Sequence, residues 1–316
     1  MITASAPGKC ILLGEHSVVY GYPAIAVALE KRSYCTMEKL TDNEIHFSVP
    51  DHGVDLNFDD ITDMKEHIPN SYRQFYEGLN TVSKEFGSLI NNLSVRIYSD
   101  LWKGSGLGSS ASTSIAFLTA ATEMFNLKIS STEINNIAFL MEKIVHGTPS
   151  GIDNTVCSSG GAIVYQNGLR EKLIIPKFPI LITYSGSPHN TGQIIHSIRE
   201  KKDELEGSFQ KIGKIVEEGI IAIKDADFLR LGEICDNNQK ILSTMGLSTP
   251  LIDDIIAISR NNGAFGSKLT GAGAGGSVIT LGPKEKLYNI QYLLKKKGYL
   301  SEICKLDYTG GKIESC

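Results

Sequence analysis

Lys103-Gly104-Ser105-Gly106-Leu107-Gly108-Ser109-Ser110-Ala111-Ser112 sets three glycines at alternate positions directly before a run with helical spacing. Glycine takes left-handed backbone angles without a steric penalty and lets the chain approach a ligand closely. A helix beginning at Ser109 or Ser110 would turn its unpaired N–H groups, and the positive end of its dipole, toward whatever the loop holds. The combination is an anion cradle suited to phosphate. It is not a P-loop, since no Gly-Lys-Ser/Thr follows at the required spacing. Nor is it the dinucleotide fingerprint, which spaces its glycines differently and wants an acid about 20 residues on. Taken alone, the stretch reads equally as a flexible connector before an N-capped helix.

Upstream, Thr3 to Leu13 alternates and then turns continuously apolar across Pro7-Gly8, which predicts two strands or one strand with a bulge. A glycine-bounded loop, Gly14-Glu15-His16-Ser17-Val18-Val19-Tyr20-Gly21, leads to strands over 24–29, 33–40 and 44–49. The segment 50–69 is polar and irregular, 71–86 has helical spacing, and 92–98 alternates. The anion loop therefore follows a strand and opens a helix over 111–125. Ser130-Ser131-Thr132-Glu133 is a capping box. The helix it starts carries Ile134, Ile137, Ala138, Met141, Ile144 and Val145 on its buried stripe, with Glu142 at the stripe's edge. From its position alone Glu142 is either a cleft-facing acid or a surface acid beside Lys143. A turn-rich loop, 146–154, and strands at 160–165 and 179–184 follow. From Thr191 helical periodicity dominates (193–204, 208–224, 227–243, 250–260). The chain then runs through the glycine-rich 268–276, a strand over 277–281, a helix over 284–297 and a strand over 301–307. Two domains are expected, 1–170 and 171–316, in an α+β chain.

The chain has 316 residues, 41% apolar and 21% charged, with a formal net charge of −4, so it carries no basic footprint for nucleic acid. Nowhere do 18 apolar residues run together, and the first residues lack a charged n-region and a long apolar core, so a cytoplasmic protein without a membrane partner is expected. Six scattered cysteines form no Cys-x-x-Cys pair, which argues against a zinc site or a disulfide framework. Cys10 and Cys157, set among apolar neighbours, read as small core residues.

Three small-residue loops, at 104–110, 147–151 and 271–276, stand far apart in sequence, each beside a helix or strand end. With Pro7-Gly8-Lys9 and Gly14-Glu15-His16 they resemble the GHMP kinases, the small-molecule kinases named for galacto-, homoserine, mevalonate and phosphomevalonate kinase, over nearly the whole chain. Gly14 to Gly21, and Glu142-Lys143-Ile144-Val145-His146-Gly147-Thr148-Pro149-Ser150-Gly151-Ile152-Asp153-Asn154, are most similar to the branch that phosphorylates mevalonate. The resemblance implies a two-domain α+β fold: an N-terminal domain of the ribosomal protein S5 domain 2 type and a helix-rich, ferredoxin-like C-terminal domain. It implies transfer of the ATP γ-phosphoryl group to the 5-hydroxyl of (R)-mevalonate with Mg²⁺, and it allows a homodimer.

By the same resemblance, Lys103, Gly104, Ser105, Gly106, Leu107, Gly108, Ser109, Ser110 and Ala111 would wrap the phosphates, with Thr270, Gly271 and Gly273 closing from the C-terminal domain. Ser110 and Glu142 would ligate Mg²⁺. Asp153 would be the catalytic aspartate, ionised at neutral pH, and Lys9 its partner, offsetting the charge that grows on the transferred group. Glu15, His16, Ser150, Gly151 and Thr191 would face the acceptor. The chain departs from the family at His189-Asn190, where an arginine precedes the threonine elsewhere, and at Leu101-Trp102-Lys103, in place of Pro-x-Gly/Ala. Two other readings stay open: a kinase of the same build for a sugar, homoserine or phosphomevalonate, and a catalytically silent ligand sensor.

Overall fold

The computed structural model describes residues 1–87, 91–147, 149–187 and 191–315. The first sheet is built on two long antiparallel strands, β1 (Ile2–Leu13) and β2 (Ala24–Lys39), with a register shift at Pro7/Gly8 that bends β1 without ending it. β2 merges the two strands expected at 24–29 and 33–40. The first sheet continues with β3 (Ile45–Val49), β4 (Val54–Phe58) and β5 (Leu93–Ser99) in the order β1-β2-β5-β3-β4, β3 and β5 being parallel. Between β4 and β5 come α1 (Ile61–His67) and α2 (Arg73–Phe86).

The stretch expected to be irregular, 50–69, thus holds a strand and a helix. β4 pairs with β3, and Asp60 caps α1 by accepting from the Thr62 and Asp63 N–H groups, while Met64 buries the helix's one core side chain. Such short elements carry too few apolar residues to show a period.

α3 (Ser109–Met124) and α5 (Ile152–Ser159) pack on the sheet, and α4 (Ser131–His146) packs on α2, α3 and α5. The capping box at Ser130 and Glu133 is present. On α4, Ile137, Ala138 and Met141 are buried, but Ile144 and Val145 remain 41% and 42% exposed. Asn135 and Glu142 are buried instead, because they find polar partners on α5 and α3: Asn154 Nδ2 donates to Asn135 Oδ1 (2.8 Å) and Ser110 Oγ donates to Glu142 Oε1 (2.5 Å).

β6 (Ala162–Gln166) adds to the first half of β2, and β7 (Leu169–Leu173) pairs with β6. The expected division at 170/171 falls inside β7; we place it between β7 and β8 (Ile180–Tyr184), where the chain changes sheets. After β8 come α6 (Thr191–Glu200), α7 (Lys202–Lys224), α8 (Phe228–Thr244), α9 (Pro250–Asn261), β9 (Gly266–Thr270), β10 (Ser277–Leu281), α10 (Lys284–Lys296) and β11 (Leu300–Cys304). The second sheet is antiparallel in the order β11-β8-β10-β9, the fourth-first-third-second arrangement of a ferredoxin-like βαββαβ unit enlarged by helices.

β12 (Lys312–Ile313) returns to pair with β1. Arg32 anchors this return, its guanidinium meeting the Asp307 carboxylate and donating to Gly310 O (2.6 Å). One hydrophobic cluster belongs to both lobes: Leu13, Ile25 and Leu29 pack with Val216, Ile223, Leu231 and Ile279. α7 reaches β1 at Gly219, where a Cβ would lie 2.2 Å from Leu13 Cδ1. The five described cysteines, Cys10 and Cys157 among them, are buried and unpaired; Cys316 lies outside the described residues. Among the described residues no helix is long and apolar enough to cross a membrane.

Candidate active site

The glycine-rich stretch does what its composition dictates. Gly104, Gly106 and Gly108 all hold positive φ, and Gly108 (φ 74°) is the N-cap of α3. The loop is tied to β1, with Lys9 N–H donating to Leu107 O (2.8 Å) and Ser112 Oγ donating to Ala6 O (2.7 Å). A Cβ on Gly108 would lie 2.8 Å from Lys9 Cγ, so the glycine lets the lysine stem run beneath the loop. Lys9 Nζ then meets Asp153 Oδ1 at 3.2 Å. The lysine side chain is 4% exposed and the aspartate 34%, so the ammonium is held within the protein while the carboxylate opens onto the cleft. Asp153 stands in the first turn of α5, after Gly151 as N-cap, in a segment whose turn residues had suggested a loop. That position suits a carboxylate, because the helix dipole is positive there.

A cleft of about 1080 Å³ runs between the lobes. Of the expected residues, Lys9, His16, Gly104, Ser105, Gly106, Leu107, Gly108, Ser109, Ser110, Ala111, Glu142, Ser150, Gly151, Asp153 and Gly271 line it. Glu142 is buried and bonded to Ser110, not solvated. Burial pushes its carboxyl up to about 7, the Asp153 charge adds to the rise, and the Ser110 hydrogen bond and Lys9 oppose it. Its other oxygen lies 3.6 Å from His146 Nε2, a ring that burial biases toward the neutral form. A hydroxyl and a buried carboxylate side by side at the head of α3 form a hard-oxygen pair. They suit a magnesium ion that takes its remaining ligands from phosphates and water.

Residues to which the motifs assigned no role complete the walls. Val18, Val19 and Tyr20 follow His16 on one side, and Gly192, Ile195, Ile198 and Arg199 of α6 also line the cleft. The signal for the second group was the helical spacing of 193–204, which says nothing about which cavity the helix faces. Trp102 lines the cleft near the glycine loop and packs on Tyr184 (6.3 Å between ring centroids) under Lys31. His16 Nε2 donates to Ala272 O (2.9 Å), and burial pushes the ring down to about 4. The ring is therefore neutral near pH 7, and its Nδ1 offers a lone pair.

Four expected residues do not line the cleft. Lys103 is exposed. Glu15 is fully buried and its carboxylate is taken by Lys268 Nζ, so its chemistry is spent inside the protein. Thr270 is fully buried, its hydroxyl donating to Ile11 O (3.0 Å) and accepting from Ile11 N–H (2.9 Å). Gly273 turns the chain against Leu247, whose carbonyl oxygen would lie 2.8 Å from a Cβ there. Thr191 begins α6, but its side chain, like His189 and Asn190, lies outside the described residues.

Residues 73–161 match the family model of the GHMP kinases N terminal domain, and residues 220–300 that of the GHMP kinases C terminal domain. The chain belongs to the GHMP kinases. A mevalonate kinase of Thermococcus sibiricus is 32% identical over 331 residues, covering 99% of this chain and 98% of the relative. The crystal structure of the Methanococcus jannaschii mevalonate kinase superposes with a TM-score of 0.87 at 27% identity, covering 96% of this chain and 98% of that one. An L. major mevalonate kinase solved in complex with R-mevalonate shares the fold, with a TM-score of 0.81 at 23% identity over 97% and 96% of the two chains. Within its class, this chain belongs to the mevalonate kinases.

Proposed function

We infer that the protein transfers the γ-phosphoryl group of ATP to the 5-hydroxyl of (R)-mevalonate, giving 5-phosphomevalonate and ADP. The observation that carries the reading is the Lys9–Asp153 pair, 3.2 Å apart, opening into the same cleft as the glycine loop and the N-terminus of α3.

In such a transfer the protein mainly positions the reactants and neutralises charge. The triphosphate would lie across 104–110, taking amide hydrogen bonds at the head of α3, with Gly271 opposite. Asp153 would accept or orient the acceptor's hydroxyl proton. The new O–P bond forms as the bridge between the β and γ phosphates breaks and the electron pair leaves with ADP. Lys9 would offset the charge gathering on the transferred group. Ser110 and Glu142 would hold a Mg²⁺ ion, which when bound supplies charge neutralisation to the phosphates. Neutral His16 would accept a hydrogen bond at Nδ1 from an acceptor hydroxyl, and Val18 and Val19 would face the carbon skeleton.

The test is an ADP-release assay across mevalonate, phosphomevalonate, homoserine and galactose. Turnover confined to mevalonate is expected. Faster turnover of another acceptor would reassign the substrate, and ATP binding without turnover of any would leave a sensor.

A further inference from the structure

We propose that Lys268 is a positioning residue for the acceptor: it holds Glu15, and through it the Gly14-Glu15-His16 turn, so that His16 presents one ring nitrogen to the alcohol. This rests on the reading of the cleft given above. Lys268 stands in β9, all five residues of which are buried. Its Nζ donates to Glu15 Oε1 and to Leu269 O (2.6 Å), across 253 residues of chain in the first case. Neither side chain of the ion pair is exposed, and among the described residues Glu15 Oε2 has no hydrogen-bond partner.

A wholly buried ion pair with an unsatisfied oxygen is a poor source of stability, because losing the hydration of two charges offsets most of their attraction. Its geometry suggests what it does instead. Alternate residues of a strand face one side. Lys268, Thr270 and, past the end of β9, Ala272 grip Glu15, Ile11 and His16 in turn. All three partners follow Lys9 in the chain: Ile11 on β1, and Glu15 and His16 in the turn just past its end. His16 itself has φ 61° with ψ −44°, a positive-φ conformation that a residue with a Cβ keeps only when its surroundings enforce it. The neighbouring Glu15, pinned by Lys268, supplies that enforcement on one side, and Ala272 O supplies it on the other.

The experiment compares Lys268→Met, Lys268→Arg and the double variant Glu15→Gln/Lys268→Met with the wild type, by two-substrate steady-state kinetics and thermal denaturation. In Lys268→Met the KM for mevalonate is expected to rise about tenfold, the value of one oriented hydrogen bond, with the KM for ATP within about threefold. Lys268→Arg should recover part of the mevalonate KM. The double variant removes the uncompensated buried charge, so it should regain thermal stability while its mevalonate KM stays high. It also carries the test if Lys268→Met does not fold. A mevalonate KM that recovers together with stability, or that rises no more than the ATP KM, would overturn the proposal and leave the pair as packing. A wild type that fails to turn over mevalonate would instead refute the function, a separate outcome.

Discussion

Replacing Asp153 by Asn keeps the side chain's size and its place in the first turn of α5 but removes its charge and its capacity to take a proton. Asparagine cannot accept the hydroxyl proton, so kcat should fall by about 10²-fold or more, the usual share of a positioned acid or base, or roughly 2.7 kcal/mol of barrier. The KM for ATP should stay within about twofold, because the residues assigned to the triphosphate lie on the glycine loop and at Gly271, not on α5. The folded state should weaken too. Lys9 is 4% exposed but its partner is 34% exposed, so the pair sits between a surface ion pair and a buried one. A loss of about 2 kcal/mol follows, midway between the two regimes. The assay is ADP release coupled to NADH oxidation, with thermal denaturation on the same preparations. A variant turning over within about threefold of the wild type would remove Asp153 from the chemistry and refute the site assignment.

Glu142→Gln removes the carboxylate from the proposed magnesium pair. Its use of Mg-ATP should drop by at least the ~10–100-fold seen for groups that merely support a metal ligand, and excess Mg²⁺ should partly restore it, read as the Mg²⁺ dependence of the rate. Gly108→Ala sets a Cβ 2.8 Å from Lys9 Cγ on a residue with φ 74°. The left-handed angle alone costs about 1–2 kcal/mol, and the displaced lysine should lower kcat as well as Tm; an unchanged kcat would show that the stem's path does not matter. His16, pushed down to about 4, should show no ring titration by proton NMR between pH 8 and 5.5. Because its folded value lies below the unfolded one, it withdraws stability as pH falls from about 6.5 toward 4. An ordinary titration near 6.5 would contradict its burial.

Much of this site was legible because its signals are local. Glycines at alternate positions before a helical run predict a positive-φ turn leading into a helix, which is what 104–108 and α3 form, and the Ser130–Glu133 box starts its helix through two short-range hydrogen bonds. The helices of the second half show their period because each is long and one-sided. Glu142 was only half legible. Helical spacing put it at the edge of a stripe, but the partner that buries it, Ser110, belongs to another helix. Glu15 and Thr270 misled for the same reason. Their motif positions suggested ligand contacts, whereas Lys268 and the Ile11 backbone, more than 250 residues away, claim them in the folded chain. Lys268 itself looked like the start of a glycine loop, since a five-residue strand that is buried throughout has no alternation to reveal it.

The phosphorus NMR spectrum of the product made from ATP and mevalonate is the most direct test of the whole account, since it reports both the transfer and the oxygen that receives it. A phosphomonoester resonance split into a triplet by an adjacent CH₂, growing in step with ADP, is the predicted result. An unsplit resonance, from phosphate on the tertiary alcohol or the carboxylate, or inorganic phosphate alone, would contradict an acceptor whose primary hydroxyl faces Asp153 and Lys9.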